Sequence, residues 1–147
     1  MNRAESEIRI VGFRRELAPY FKSINEQWIR EMFELEPADR AILDAPERMV
    51  ITPGGKIWFA EHHSLGVIGT CALLKKSEGI FELTKMGVLE KARGLKAGEA
   101  LLRHVLENAC EMEIVKLFLL TNRVCEPAIH LYYKFGFRDD AQIMQDY

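Results

Sequence analysis

The junction between a predicted strand and a predicted helix reads VLEKARGLKAGEALL, from Val88 to Leu102. A glycine-containing loop that enters a helix N-terminus presents unpaired backbone N–H groups and the positive end of the helix dipole. Such a helix start binds anions, phosphates above all, and Lys91, Arg93 and Lys96 add positive charge to the same loop. The alternative is an ordinary strand-to-helix turn with solvated basic side chains, and these features alone do not decide between the two.

Two known phosphate-binding loops do not fit this junction. The nucleotide P-loop ends in Gly-Lys-Ser/Thr, whereas Gly98 is followed by Glu99. The dinucleotide-binding fingerprint places its glycines at the opening of a parallel β-α-β unit. Gly94 and Gly98 lack that spacing, and the short connectors before them require antiparallel strands. The junction therefore belongs to neither class.

The rest of the chain extends this unit on both sides. Hydrophobic periodicity and turn residues predict helices at Leu17–Phe33, Ala38–Leu43, Ala97–Met112 and Pro127–Phe135, and strands at Glu7–Phe13, Lys56–His62, Gly66–Lys75, Ile80–Val88, Val115–Thr121 and from Phe137 onward. The connectors 63–65 and 76–79 have hairpin length, so the three central strands are antiparallel neighbours. We expect the strand after the long helix to be buried. The order β-α-α-β-β-β-α-β-α-β predicts an α/β protein with a mixed (α+β) sheet rather than a doubly wound one.

Composition limits the class of protein. The chain has 147 residues, of which 48% are hydrophobic and 29% charged, with a net charge of −2. These values predict a single domain over residues 1–147 and argue against dominant disorder and against nucleic-acid binding through bulk positive charge. No apolar run is long enough to span a membrane, and the N-terminus lacks the apolar segment of a signal peptide. The three cysteines form no even framework, so we expect a cytoplasmic location.

Three motifs, in this order, resemble those of the GNAT family of N-acetyltransferases. The strand Phe81–Val88 resembles the family's fourth strand, and the loop Arg93–Gly98 resembles its Q/R-x-x-G-x-G/A loop. The third motif has two parts. Leu119–Asn122 resembles the fifth strand, and Pro127–Phe137 resembles the A-x-x-L-Y-x-K-x-G-F helix. Residues 25–29 and 53–55 are similar to acetyltransferase domains that are sometimes fused to MarR-type regulators.

The resemblance implies a GNAT-like acyl-CoA N-acyltransferase fold in which the fourth and fifth strands splay apart. It also implies acetyl-CoA as co-substrate, with the diphosphate in the loop and the pantetheine arm along the fourth strand. A backbone N–H of that strand would donate to the thioester carbonyl as a small oxyanion hole, and Gly87 suits a bulge or a close approach of ligand. The implied cofactor-binding residues are Met86, Gly87, Val88, Arg93, Gly94, Leu95, Lys96, Ala97, Gly98, Asn122 and Tyr132.

Two side chains are candidates for catalysis. Periodicity alone makes Tyr132 a core tyrosine, whereas the resemblance makes it the acid that protonates the departing thiolate, with Tyr133 as the fallback. Glu82 lies inside an apolar strand, where a carboxylate is unusual unless it is paired or functional. The resemblance makes Glu82 the general base, acting directly or through a water relay. The alternative is a salt bridge from Glu82 to Lys85 or Lys91.

The chain departs from the family pattern at Lys96, where the family has its second glycine. A residue with a Cβ must hold a negative φ there or accept strain. A further departure is Cys125, where the family often has asparagine, although Asn122 offers an amide instead. An acyl-cysteine mechanism at Cys125 has no histidine at a suitable spacing to support it.

The resemblance also implies where the acceptor binds. Trp28, Phe33 and Glu82 are the predicted substrate-pocket residues, and the carboxylates near the aromatic pair would suit a cationic amine. A solvated helix end is the alternative explanation of those carboxylates. The histidines show no spacing typical of metal ligands, so we expect no metal.

The sequence therefore predicts an N-acetyltransferase that moves the acetyl group of acetyl-CoA to a primary amine. The acceptor would be a small molecule or peptide, attacking directly in a ternary complex. A non-catalytic acyl-CoA sensor or regulatory module, and transfer of a longer acyl chain, are the alternatives. No nucleic-acid or membrane partner is expected, and a homodimer formed through the C-terminal strand would be ordinary for the family.

Overall fold

The computed structural model describes residues 7–120 and 126–138. Its strands are β1 (Ile8–Gly12), β2 (Lys56–His62), β3 (Gly66–Ser77), β4 (Ile80–Val88) and β5 (Lys116–Leu119). Its helices are α1 (Ala18–Met32), α2 (Pro37–Asp44), α3 (Ala97–Glu111) and α4 (Glu126–Lys134). Short 3-10 turns lie at Arg15–Leu17 and Glu90–Ala92, and a π-helical turn spans Glu47–Ile51.

The five strands form one sheet in the order β1-β2-β3-β4-β5. The first four strands are antiparallel neighbours. For β2, β3 and β4 the reason is that the turns joining them are too short for a crossover. α3 connects β4 to β5, and these two strands pair in parallel. The predicted mixed sheet, in which an antiparallel meander leads into a β-α-β crossover, is therefore confirmed.

Helices cover both faces of the sheet, because successive strand residues point to opposite sides. In β2, Trp58 and Ala60 pack in the buried cluster that contains α3, which we call the α3 face. Ile57 and Phe59 pack in the cluster of α1 and α2, which we call the α1 face. α3 adds an apolar stripe at helical spacing, formed by Ala97, Leu101, Leu102 and Val105. α1 and α2 add Phe21, Ile29 and Leu43.

Most predicted elements are confirmed, β2 and β4 with the same bounds. The prediction of a buried strand after α3 is wrong in part, since β5 is only partly buried and Val115 before it is 86% exposed. The reason is that β5 lies at an edge of the described sheet. The predicted last strand falls mostly outside the described residues, and Phe137 and Arg138 belong to no strand. No helix in residues 7–120 and 126–138 is long and apolar enough to cross a membrane.

Candidate functional site

The described strand β5 pairs with only the first part of β4. The register runs from Ile80 opposite Lys116 to Leu83 opposite Leu119, where β5 ends. β4 continues to Val88, and beyond Leu83 no described strand pairs with this edge. The splaying of the two strands that the resemblance implies stays a prediction, and we call residues 84–88, which lie beyond this pairing, the separated part of β4. A strand edge with unpaired N–H and C=O groups can bind an extended ligand as an added strand.

β4 carries a bulge in this separated part. Thr70 pairs with Gly87, whereas Ala72 pairs with Thr84, so β4 has one extra residue between these two positions. Lys85 lies in the bulge with a φ of 51°. This left-handed conformation costs a residue with a side chain roughly 1 kcal/mol. A bulge was predicted as one role for Gly87, and the structure places it immediately before that residue.

The bulge changes which β4 side chains face α3. Before the bulge, Phe81 and Leu83 pack in the cluster of the α3 face. After it, Met86 and Val88 pack against the same cluster. The extra residue reverses the alternation of the strand. The side chain of Gly87, if it had one, would therefore point to the α1 face.

Lys85 is held by an ion pair with α2. Its Nζ lies 2.7 Å from Asp39 Oδ1, and only 13% and 23% of the two side chains are exposed. Asp39 also accepts a hydrogen bond from the Glu36 backbone N–H in the capping box of α2. Burial alone would raise the pKa of Asp39, but the hydrogen bonds from Lys85 and Glu36, with the charge of Lys85, hold this pKa below its usual 3.8. The bulge is therefore tied to α2.

Gly87 lies directly against the indole of Trp28. A Cβ built on Gly87 would lie 2.2 Å from Trp28 Cδ1 and 2.5 Å from Nε1, so only glycine fits without moving the ring. Trp28 is partly exposed and makes an edge-to-face contact with Phe33, with ring centroids 6.4 Å apart. On this face of Gly87 the close approach is made by Trp28, and the predicted close approach of a ligand stays a prediction. The two aromatic residues predicted for the acceptor pocket lie together beside the separated part of β4.

The loop from β4 to α3 contains two left-handed residues. Gly94 has a φ of 91°, and Lys96, the N-cap residue of α3, has a φ of 66°. Lys96 therefore accepts the strain rather than a negative φ, at a cost of roughly 1 kcal/mol. No described side chain caps α3, so the N–H groups of Ala97, Gly98 and Glu99 have no partner within the helix. A Cβ built on Gly94 would meet no atom within 4 Å, so the loop surface is open there.

The loop is fastened to α1 by two contacts. Arg93 Nη2 lies 3.0 Å from Glu31 Oε2, with 47% and 36% of the side chains exposed. Gln27 Oε1 accepts a hydrogen bond of 3.2 Å from the Glu90 backbone N–H. Sequence reasoning missed both contacts, since Arg93 and Glu31 are 62 positions apart and no local pattern links them.

α4 crosses the beginning of α3. Leu131 lies over Gly98, since a Cβ built there would be 3.6 Å from Leu131 Cδ2. Lys134 forms an ion pair with Glu99 in the first turn of α3. The hydrogen bond from Lys134 holds the pKa of Glu99 below its usual range, against a weaker opposing effect of burial. The helix that carries the predicted acid is therefore fixed beside the loop.

Tyr132 is the inward-facing tyrosine of α4. It packs against the cluster of the α3 face and makes an edge-to-face contact with Phe137, with centroids 5.9 Å apart. Tyr133, the fallback candidate, is 50% exposed. The same cluster also receives Met86 and Val88, so Tyr132 and the separated part of β4 border one buried region. The role of Tyr132 as acid stays a prediction.

Glu82 lies in the part of β4 that still pairs with β5, opposite Phe118. Its side chain is 12% exposed, and its Oε1 lies 3.7 Å from Lys76 Nζ. Lys85 and Lys91 were the predicted salt-bridge partners of Glu82, and both predictions are wrong. Lys85 pairs with α2 instead, and Lys91 lies exposed in the turn after β4. The role of Glu82 as base stays a prediction.

A group of metal-ligand side chains that spacing did not predict lies at the end of β2. Glu7, His62 and His63 bring three ligand atoms within 4.8 Å of one another. His62 Nδ1 accepts hydrogen bonds from the Ser64 and Leu65 backbone N–H groups, at 3.1 and 3.2 Å. His62 Nε2 therefore carries the proton and lies 3.1 Å from Glu7 Oε2. A metal would need that nitrogen unprotonated, so the donors fit a hydrogen-bonded turn rather than a metal site.

Two predicted residues lie outside the described part of the chain. They are Asn122, proposed as an amide ligand of the coenzyme, and Cys125, at the position where the family often has asparagine. Of the remaining predicted site residues, all but Glu82 lie around the start of α3 or in or beside residues 84–88 of β4, and Glu82 lies in the part of β4 that pairs with β5.

The chain is similar to known acetyltransferases in sequence and in fold. The family model described as an acetyltransferase (GNAT) domain matches residues 53–139. An acetyltransferase of the GNAT family from Staphylococcus aureus Mu50 has a TM-score of 0.81 and 24% identity, over 90% of this chain and 84% of that one. An IAA acetyltransferase from Bacillus cereus ATCC 14579 has a TM-score of 0.69 and 27% identity, over 89% and 77%. A predicted acetyltransferase from Clostridium acetobutylicum, solved with acetyl-CoA, has a TM-score of 0.70 and 17% identity, over 90% and 91%. No curated protein matches the chain.

Proposed function

Because the chain belongs to the acetyltransferase (GNAT) family and is a transferase, we propose that it moves the acetyl group of acetyl-CoA to a primary amine. The acceptor is a small molecule or a peptide, and its amine attacks the thioester directly in a ternary complex. The observation that carries the proposal is that the described pairing of β4 with β5 stops at Leu83, on the strand that leads into the uncapped start of α3.

The loop Arg93–Gly98 and the first turn of α3 bind the diphosphate. The proposal is supported by the first-turn N–H groups without a helix partner and by the open space at Gly94. The exposed Lys96 adds a positive charge beside these donors. The pantetheine arm then lies along the free edge of β4 as an added strand, which suits a backbone that has no described partner there.

The reaction needs an oxyanion site, an acid and a base. The amine nitrogen attacks the thioester carbonyl carbon, and a backbone N–H within Met86–Val88 donates to the oxygen that becomes negative. When the carbon–sulfur bond breaks, Tyr132 protonates the thiolate, and the amine proton leaves to Glu82 or to water. The thioester is already activated, so positioning and charge stabilisation supply most of the acceleration.

Trp28 and Phe33 form the wall of the acceptor site in this proposal, which their contact beside Gly87 supports. A cytoplasmic location belongs to the same proposal. It is supported by the thiols of Cys71 and Cys110, which form no disulfide.

The direct test combines coenzyme binding with turnover. Calorimetry should detect binding of coenzyme A, and a thiol-release assay with acetyl-CoA and a panel of primary amines should identify at least one acceptor. Binding without turnover on any amine would favour a sensor or regulatory module. Absence of binding would show that the site is wrongly assigned.

A further inference from the structure

Asn25 is the only buried amide side chain among the described residues. It lies on the inward side of α1, where Phe21, Ile24 and Ile29 supply the core. A buried amide is unfavourable unless both its donor and its acceptor are bonded. A leucine of similar shape would pack better against these apolar neighbours, so the role of the amide lies in its hydrogen bonds.

Both ends of the amide are bonded. Asn25 Nδ2 donates to the Phe21 carbonyl oxygen at 2.9 Å, a local bond one helical turn back. Asn25 Oδ1 accepts a hydrogen bond of 2.8 Å from Trp28 Nε1. The second bond fixes the rotation of the indole, because Nε1 has a single N–H to donate.

The same edge of the indole contacts β4. Trp28 Cδ1 and Nε1 are the two atoms that lie nearest to a Cβ built on Gly87. The space on the α1 face of Gly87 is therefore filled so closely that not even a methyl group fits. Gly87 lies in the part of β4 beyond the described pairing with β5. Asn25, Trp28 and Gly87 thus form a chain of contacts from the helix core to the strand edge.

We propose that Asn25 is a positioning residue that, through Trp28, restricts the acyl group of the co-substrate to acetyl. The inference rests on the proposed function, because it takes the thioester carbonyl to lie at the N–H groups of Met86–Val88. An acyl chain longer than acetyl would extend against the indole edge and displace it. Displacement would break the bond to Asn25 Oδ1 and leave a buried amide without its partner, which is unfavourable. The hydrogen bond to Asn25 therefore holds the Trp28 indole in place, whereas packing alone would let the ring move.

The test is the dissociation constant of acetyl-CoA, butyryl-CoA and hexanoyl-CoA by calorimetry, which needs no acceptor amine. In the wild-type protein, hexanoyl-CoA should bind on the order of tenfold more weakly than acetyl-CoA, since one blocked methylene already has an effect of this size. Asn25→Leu should bring the ratio of the dissociation constants of hexanoyl-CoA and acetyl-CoA close to one, while the affinity for acetyl-CoA changes little. Trp28→Phe, which lacks the N–H, should do the same, and Asn25→Leu should add nothing further in the Trp28→Phe background.

Ile24→Val is the matched control, since Ile24 is the buried neighbour on the same helix. It should lower thermal stability and leave the acyl-CoA ratio unchanged, which separates positioning from general loss of packing. Should Asn25→Leu fail to fold, Trp28→Phe alone carries the same expectation. Equal affinity of the wild-type protein for the three acyl-CoAs would overturn the inference, and so would an unchanged ratio in both variants. If no acyl-CoA binds the wild-type protein, it is the proposed function that fails.

Discussion

Glu31→Gln should tighten the binding of coenzyme A, although Glu31 lies on α1 and outside the loop. The Arg93 guanidinium lies 3.0 Å from the Glu31 carboxylate. In the proposed function Arg93 belongs to the diphosphate loop, so the phosphates must compete with Glu31 for it. Removing the carboxylate while keeping the size of the side chain removes this competition.

The magnitude follows from the exposure of the ion pair. Arg93 is 47% exposed and Glu31 36%, and exposed pairs contribute about 0.2–1 kcal/mol. At about 1.4 kcal/mol for each factor of ten, the dissociation constant should fall by roughly 1.4-fold to 5-fold. Because salt screens exposed charges, the gain should be largest at low ionic strength.

Calorimetric titration with coenzyme A at two salt concentrations measures this effect. Glu26→Gln is the matched control, because Glu26 lies on the same helix and pairs with Arg30 and Lys22 rather than with the loop. It reports the general effect of removing one negative charge. In an Arg93→Gln background, Glu31→Gln should have no further effect. A Glu31→Gln protein that binds coenzyme no more tightly than the Glu26→Gln protein would refute the reasoning.

Four further predictions concern the loop, the acid and the bulge. Tyr132→Phe should lower turnover with little change in coenzyme affinity, whereas Tyr133→Phe should leave both unchanged; the reverse result would move the acid role to the neighbour. Gly94→Val should weaken coenzyme binding by roughly tenfold, because a side chain at a φ of 91° is strained by about 1–2 kcal/mol, and circular dichroism should show that the domain still folds. Lys96→Gly should raise the free energy of unfolding by up to about 1 kcal/mol, since it removes a left-handed side chain, and thermal unfolding measures this as a rise of roughly 2–4 °C. Asp39→Asn should be less stable than the wild type at neutral pH. Because the folded pKa of Asp39 is lowered from 3.8, the contribution is present above that value and is lost as the pH falls through the folded pKa. The difference between the two proteins in denaturant titrations should therefore close under acid conditions.

The elements whose formation depends on residues close in the sequence could be predicted from the sequence. β2 lies between the turn residues 53–55 and the connector 63–65, and β4 begins after the connector 76–79, which is why these bounds agree with the prediction. α3 was predicted because its apolar stripe repeats at helical spacing over the whole segment. β5 was judged buried from its composition alone, since its position at an edge depends on the other strands.

The sequence of β4 contains a signal of the bulge. Apolar residues occupy odd positions at Phe81 and Leu83 and even positions at Met86 and Val88. This change of phase within a continuous strand indicates an inserted residue. By contrast, no pattern in the sequence links Trp28 with Gly87, because their contact arises only when α1 packs on the sheet.

The site could be located but not fully described from the sequence. The glycines and the place before a helix identify the loop, whereas the sequence allows two conformations for Lys96. The structure decides for the strained one, with a φ of 66°. The ion pairs of Arg93, Lys85 and Glu82 all involve partners on other elements. The partners of Arg93 and Lys85 depend on tertiary packing, which short-range spacing does not encode. The partner of Glu82, Lys76, depends on the register of the β3–β4 hairpin.

The sheet also implies an order of assembly. Strands β2 to β4 pair with their neighbours in sequence, so their hydrogen bonds close short loops and we expect them to form early. β5 must wait until α3 has formed and docked, because a parallel partner is reached only through the crossover. β1 also pairs late by this argument, because Ile8 lies opposite His62 and a long loop must close first. The edge of β4 that we propose for the coenzyme therefore belongs to a strand pair that forms after the hairpins, so a ligand there displaces none of the early contacts.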